Sequence, residues 1–192
     1  MEIVIIRYPT DEDWARCLLL ARETQGKEGL KVPSSEWREK MIRAEHSPMR
    51  TLMFTIEMRD IPYFSSVHFV RHKFGVEHYV KSQRVNPERG GERQDALVNH
   101  IMDINAQALI NMARKRLCTR ADPVTRSIME QIKAAVTEKD PIIGKYLVPD
   151  CVYRGGCFEF KSCGYYEQYL KQFHLSGQNN DEEKEQTESK PV

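Results

Sequence analysis

A basic segment at residues 71–84, RHKFGVEHYVKSQR, carries the side chains of this chain best suited to chemistry. Its candidate phosphate-binding residues are Arg71, Lys73, Lys81, Ser82 and Arg84. Cations beside a hydroxyl can hold a phosphate by charge-assisted hydrogen bonds. A solvated basic face is the alternative, because most charge runs lie exposed to water. No GxGxxG or GxxxxGK[ST] pattern occurs, so neither a Rossmann nor a P-loop site is predicted.

A second candidate is Arg116, near the end of a stretch, residues 95–118, that we predict to be one long helix. At about 100° per residue, Ile101, Ala108 and Met112 define its apolar stripe, and Asn105 and Arg116 project the same way about 16 Å apart. An Arg on a buried stripe needs an anionic partner, since breaking a buried ion pair costs about 3–5 kcal/mol. That partner is either a core carboxylate or a bound ligand.

The elements that must position these residues are predicted from periodicity and capping signals. The predicted strands and extended segments are 2–7, 52–59 and 77–85, and the predicted helices are 11–24, 34–46, one beginning at Pro62, 95–118 and 122–137. Two or three strands with about five helices, not in regular alternation, indicate an α+β fold. We expect a single domain with a small, mostly antiparallel sheet and a helical bundle over residues 1–175, a loop at 86–94 and a disordered acidic tail at 176–192.

Composition excludes several classes of protein. The net charge of the 192 residues is +1, so the chain as a whole does not attract nucleic acid, and a nucleic-acid partner is not expected. No apolar run approaches the roughly 20 residues that span a bilayer, and the N-terminus lacks the layout of a signal peptide. We therefore expect a cytoplasmic protein without a membrane partner. Five cysteines, an odd number, also argue against a secreted disulfide framework.

Three of these cysteines, Cys151, Cys157 and Cys163, recur at a spacing of six, and His174 lies eleven residues further on. Three thiolates and an imidazole are a possible zinc ligand set, but the C-x2-C pair typical of zinc sites is absent. Small buried thiols or a redox-sensitive pair are favoured instead, and no metal is predicted. Cys17 and Cys118 are predicted to be core residues.

Two separated motifs resemble the signature of the flavin-dependent thymidylate synthases (ThyX-type). Arg71-His72-Lys73 is similar to that family's Arg-His-Arg flavin motif, and Ser82-Gln83-Arg84 to its Ser-x-Arg. Residues 105–121 resemble its C-terminal Asn-x-Arg-x-Leu helix, and Ala21-Arg22 and His46, the latter ahead of the 54–55 strand, match in position. The resemblance covers roughly residues 1–84 and 105–138.

The resemblance implies a ThyX-like fold and a homotetramer that converts dUMP to dTMP by reductive methylation. FAD would carry the hydride, methylenetetrahydrofolate would supply the carbon and NADPH would reduce the flavin. The implied FAD-binding residues are Arg71, His72, Lys73, His46, Asn105 and Asn111. The implied dUMP-binding residues are His68, Ser82, Gln83, Arg84 and Arg116, with Arg116 also catalytic at the uracil edge, where a fixed cation stabilises negative charge on the ring.

The chain departs from the family pattern at several positions, so it resembles a compact or divergent member. Lys73 replaces an Arg, His68 a Gln and Gln107 an Arg, and only twenty residues separate Arg84 from Asn105. Two other functions fit the same basic surface. One is a non-catalytic nucleotide- or nucleic-acid-binding protein that keeps the fold, and the other is a flavoenzyme that modifies uracil within a polymer.

Overall fold

The computed structural model describes residues 1–82, 93 and 95–172, which form an α+β fold. Its strands are β1 (Glu2–Arg7), β2 (Met53–Pro62), β3 (Val76–Val80) and β4 (Leu97–Asn105). Its helices are α1 (Asp11–Glu23), α2 (Ser35–Arg43), a 3-10 helix (Ser47–Thr51), α3 (Tyr63–Phe69), α4 (Ala106–Arg116), α5 (Pro123–Lys139), α6 (Pro141–Lys145) and α7 (Asp150–Arg154). The chain is helical again over 165–172. The predicted fold class is confirmed, with more strands and helices than the sequence indicated.

The sheet is antiparallel throughout, in the order β1-β2-β4-β3, so β2 and β4 are its central strands. Alternate residues of these two strands face the core, and Phe54 pairs with Ile104 while Ile56 pairs with Met102. These four side chains have no exposed surface. The helices cover the same face, which gives one continuous hydrophobic core.

The helix starts fall where the capping signals predict them. Thr10 forms a capping box with Asp13, and the side chains of Ser34 and Asp122 accept backbone N–H groups at the starts of α2 and α5. The buried Asp140 caps α6 by accepting from the Ile143 N–H at 2.9 Å, and it also accepts from the Trp14 indole at 3.1 Å. This carboxylate therefore joins α1 to the α5–α6 junction.

The predicted helix over 95–118 is wrong in its first half, because residues 97–105 form β4 and the helix begins only at Ala106. Burial in β4 alternates with a period of two, which places His100 in the core and Ile101 nearer the surface. Because the buried His100 is polar and the less buried Ile101 is apolar, the sequence does not show this period of two. Asn105 is consequently the N-cap of α4, so it does not share a helix face with Arg116 as predicted.

Smaller differences concern element ends. The helix that follows Pro62 ends at Phe69, so Arg71 lies in the turn after it, and α2 ends at Arg43 rather than near His46. The predicted extended segment 77–85 is confirmed over 76–80. The predicted loop 86–94, apart from Arg93, and the predicted tail 176–192 lie outside the described residues.

Candidate functional site

The turn between α3 and β3 (residues 70–75) and one side of α4 line a common cleft of about 240 Å³. Its lining residues are Arg71, His72, Lys73, Phe74, Ala108 and Asn111. We refer to it as the basic cleft. Four of these six residues were singled out from the sequence, so the fold brings Arg71-His72-Lys73 and Asn111 together. Phe74 was not singled out, although its aromatic side chain is 93% exposed and follows three motif residues directly.

Gly75 and Asn105 hold the turn against the start of α4. Gly75 has a left-handed φ of +74°, and its carbonyl accepts the Asn105 N–H at 2.9 Å. The Asn105 side-chain oxygen caps α4 by accepting the Ala108 N–H at 2.9 Å. A Cβ on Gly75 would lie only 2.3 Å from Asn105 Nδ2. Asn105 thus has a structural role here, and its contact with a flavin of another subunit stays a prediction.

Gly75→Ala should destabilise the protein more than Gly26→Ala does. Both glycines have a left-handed φ, which costs an Ala about 1–2 kcal/mol, but a Cβ on Gly26 would meet nothing within 4 Å. The clash with Asn105 should add about 1–3 kcal/mol at position 75. Thermal unfolding of the two variants measures the difference. Equal melting temperatures would show that the turn does not press on Asn105.

Arg116, the last residue of α4, lies against the turn that lines the basic cleft. Its Nη2 donates to the His68 carbonyl at 2.6 Å and its Nε to His72 Nε2 at 3.1 Å. The side chain is half-buried, and burial, then the charge of Arg71, lower its pKa. Across the described ranges, no carboxylate lies within ion-pair distance of Arg116, Arg71 or Lys73.

The alternative that Arg116 pairs with a core acid is therefore not supported within the described ranges. Three cations lie at or beside the basic cleft without a protein counter-charge among the described residues. Such an arrangement is repulsive in the free protein, and a bound anion relieves the repulsion. The geometry can therefore bind a polyanion such as a phosphate or diphosphate.

A row of three histidines runs from this site into the core. His72 accepts from Arg116 through Nε2, His78 Nε2 lies 2.9 Å from the His72 carbonyl oxygen, and His78 Nδ1 lies 2.9 Å from His100 Nε2. His78 Nε2 must carry a proton, because a carbonyl can only accept. His100 Nδ1 is buried and has no partner among the described residues. Because buried N–H groups are rarely unpaired, the His100 proton belongs on Nε2, directed at His78.

Burial keeps the ends of this row neutral. Burial first, then the charges of Arg116 and His78, lower the pKa of His72 to about 4, and burial, then His78, lowers that of His100 to about 3. A neutral His72 can accept from Arg116, which fixes the direction of the guanidinium. His78 and His100 are not among the site residues predicted from the sequence. No local signal marks His100, because this polar residue itself interrupts the apolar alternation of β4.

The lowered pKa values predict a loss of stability on acidification. The unfolded chain protonates both histidines below about pH 6.5, whereas the folded chain does so only near pH 4 and pH 3. The stability is therefore full above pH 6.5 and declines as the pH falls, by at most about 1.4 kcal/mol per pH unit for each histidine. Denaturant titrations between pH 7 and 4 should show a shallower decline for His100→Phe, with His46→Asn, at an exposed histidine, as the matched control. An unchanged decline in His100→Phe would contradict the neutral row.

The other described site residues predicted from the sequence do not line the basic cleft. His68 adjoins it, because its carbonyl accepts from Arg116 while its Nδ1 lies 3.1 Å from the Thr125 hydroxyl. Burial, followed by Arg116 and Arg71, lowers the pKa of His68. His46 is exposed before the 3-10 helix and does not line the cleft. Ser82 is exposed after β3, and Gln83 and Arg84 lie outside the described residues.

No group of three or more His, Cys, Asp or Glu side chains within the described ranges is arranged to hold a metal ion. His174, which belongs to the alternative zinc ligand set, lies outside those ranges. No helix in the described part of the chain is long and apolar enough to cross a membrane.

Comparison with solved structures identifies the fold. The chain is similar to a thymidylate synthase X (ThyX) from Helicobacter pylori crystallised with FAD and dUMP, with a TM-score of 0.61, 13% identity, and coverage of 79% of this chain and 99% of the other. It is also similar to PolB, a UMP/dUMP methylase from Streptomyces cacaoi bound to 5-Br dUMP, with a TM-score of 0.58, 13% identity, and coverage of 76% and 93%.

These likenesses show that the chain has a ThyX-like α+β fold. A second Helicobacter pylori ThyX structure with FAD and dUMP agrees, with a TM-score of 0.58, 14% identity, and coverage of 79% of this chain and 99% of the other. No family model and no curated protein matches the sequence.

Proposed function

We propose that this protein is a flavoenzyme that converts dUMP to dTMP by reductive methylation, with methylenetetrahydrofolate and NADPH as co-substrates. The observation that carries the proposal is the half-buried Arg116, which lies beside Arg71 without a described acidic partner and is aimed by His72. The ThyX-like fold and the position of the flavin motif at this arginine support it.

The residues of the basic cleft suit FAD by the chemistry of their donors. Arg71 and Lys73 are exposed cations that can bind a diphosphate, and Asn111 is an exposed amide on the facing helix. FAD, when bound, supplies the hydride chemistry. The protein's own residues bind the anionic groups and orient the reacting rings.

The size of the basic cleft favours an assembly. At about 240 Å³ it falls below the roughly 300–1,000 Å³ of clefts that enclose drug-sized ligands, and FAD is larger than most of these. A second copy of the chain would have to complete the site. This supports the expected homotetramer, in which Asn105 and Asn111 would meet a flavin held by another subunit, and His46 stays a proposed FAD-binding residue.

Within the proposed site, Arg116 would act at the pyrimidine. Its two hydrogen bonds, to a carbonyl and to a neutral imidazole, hold the guanidinium in place without cancelling its charge. A fixed cation at the uracil edge stabilises negative charge that develops on the ring. His68, Ser82, Gln83 and Arg84 are the proposed remaining contacts to dUMP, with Ser82 and Arg84 expected at its phosphate.

The test is an assay of the purified full-length protein with FAD, dUMP, methylenetetrahydrofolate and NADPH. We expect dTMP in amounts that depend on all four components. Methylation of uracil in DNA or RNA, with no dTMP formed from free dUMP, would favour the enzyme that acts on a polymer. No product with either substrate, together with salt-sensitive binding of nucleic acid, would favour the non-catalytic binding protein.

A further inference from the structure

Four of the five cysteines line one narrow cavity at the end of α4, away from the basic cleft. They are Cys118 in the α4–α5 turn, Cys151 in α7, and Cys157 and Cys163 in the segment that follows. We refer to this as the cysteine cavity. The fifth, Cys17, is fully buried in the core. The fold thus places the three cysteines that recur at a spacing of six in the same cavity as Cys118, which is distant from them along the chain.

Cys163 is the exposed member and is surrounded by hydrogen-bond donors. The Thr119 hydroxyl donates to its sulfur at 2.9 Å, and backbone N–H groups at Tyr165 and at Cys163 itself add to this. These bonds, the Thr119 bond first, together with the charge of Arg120, lower the pKa of Cys163. An exposed thiol whose sulfur accepts several hydrogen bonds is the usual setting of a reactive thiolate.

The neighbouring thiols differ from Cys163 in character. Burial raises the pKa of Cys151, which also interacts electrostatically with Cys118 and Cys157. None of the four cysteines is paired in a disulfide, and they are not arranged as a metal-binding group. One exposed thiol with a lowered pKa, in the same cavity as three less accessible thiols, is the arrangement in which an attacking cysteine is followed by a resolving one.

We propose that the cysteine cavity is a redox-reactive thiol site in which Cys163 reacts with low-molecular-weight disulfides of the glutathione type. The Cys163 thiolate attacks one sulfur of the disulfide, forms a mixed disulfide and releases the first small thiolate. A second thiol of the cavity then loses its proton to solvent, attacks the Cys163 sulfur and expels the second small thiolate. The protein gives up two electrons and gains one internal disulfide, while the small disulfide is reduced to two thiols.

This exchange would tie the segment around Cys163 to another part of the cavity. The Thr119 contact brings the peptide that carries Cys118 next to Cys163, and Cys118 lies only two residues beyond Arg116. The proposal does not depend on flavin or nucleotide binding, so it stands or falls separately from the proposed function.

The test uses the reduced full-length protein, oxidised glutathione and peptide mass spectrometry. We expect the mixed disulfide first at Cys163, followed by an internal disulfide between Cys163 and one of the other three cavity thiols. Thr119→Val, which removes the donor and keeps the side-chain shape, should slow the reaction at pH 7 about threefold or more and move the pH–rate midpoint upward. Cys17, whose pKa burial raises to about 12, is the internal control and should stay unmodified.

Three results would overturn the proposal. The first is modification of the other cavity thiols in Cys163→Ser at the wild-type rate, and the second is an unchanged pH–rate profile in folded Thr119→Val. The third is one equivalent of zinc in the purified protein that protects all four thiols. If Thr119→Val does not fold, the pH–rate profile of Cys163 in the wild-type protein decides, because a midpoint at or above that of an ordinary thiol, about 8.5, would contradict a stabilised thiolate.

Discussion

Arg116→Ala should lower kcat for dTMP formation about 100- to 1,000-fold while the protein still binds FAD, because it removes a preorganised cation from the place where ring charge develops. The remaining cations of the basic cleft, Arg71 and Lys73, are not part of the Arg116 hydrogen bonds. Steady-state kinetics and a flavin titration of the same preparation measure both effects.

Two variants separate catalysis from structure in this prediction. Lys115→Ala removes an exposed cation of the same helix end whose ion pairs, with Asp150 and Glu159 at 3.6 Å, point elsewhere, and it should retain kcat. Arg116→Lys keeps the charge but loses the planar fork that reaches both His68 and His72, so it should recover only part of the rate. Full activity in Arg116→Ala would remove this residue from the site.

Arg71→Ala should raise the Kd for FAD about 10- to 100-fold, since a hydrogen bond to a charged group contributes about 1.5–3 kcal/mol. Arg71 is exposed at the mouth of the basic cleft and has no carboxylate partner in the described part of the chain, so its charge is available to the ligand. Lys73→Arg should lower the Kd by a few-fold, because it restores bidentate contact with phosphate. Fluorescence titration of FAD measures both changes.

The control for flavin binding is Lys40→Ala, an exposed cation of α2 whose partner is Glu36 one helical turn away. It should bind FAD like the wild-type protein. If Arg71→Ala binds FAD equally well and Lys73→Arg brings no gain, the basic cleft is not the flavin site, whatever the fold.

Local signals predicted most of the fold and part of the site. The caps at Thr10, Ser34 and Asp122 depend on neighbouring residues alone, so they could be read directly from the sequence. Residues 71–73 are adjacent in the sequence, so they would lie together in any fold. Asn111 joins it because α4 packs behind the α3–β3 turn, which only the resemblance implied.

The rest depended on contacts between distant residues. Residues 97–105 were predicted as helix because the polar His100 stands where a strand would place an apolar core residue. His100 is tolerated in the core because it contacts His78, which lies on another strand. The sequence left open whether Arg116 pairs with a core carboxylate or a bound ligand; in the structure it donates to a backbone carbonyl and an imidazole forty-eight and forty-four residues away. Asn105 caps α4 and donates its N–H to the Gly75 carbonyl, a pair of structural contacts that the sequence did not indicate, while its contact with a flavin stays a prediction. No local pattern contains these tertiary contacts.

The most direct measurement is the visible absorbance spectrum of the purified protein with added FAD, followed by titration with dUMP. We expect the protein to retain flavin after gel filtration and dUMP to shift the flavin bands in a saturable way. Arg116→Ala should retain the flavin and weaken the shift. A protein that takes up no FAD, or whose bound flavin does not respond to dUMP, would contradict a shared site for both ligands at the basic cleft.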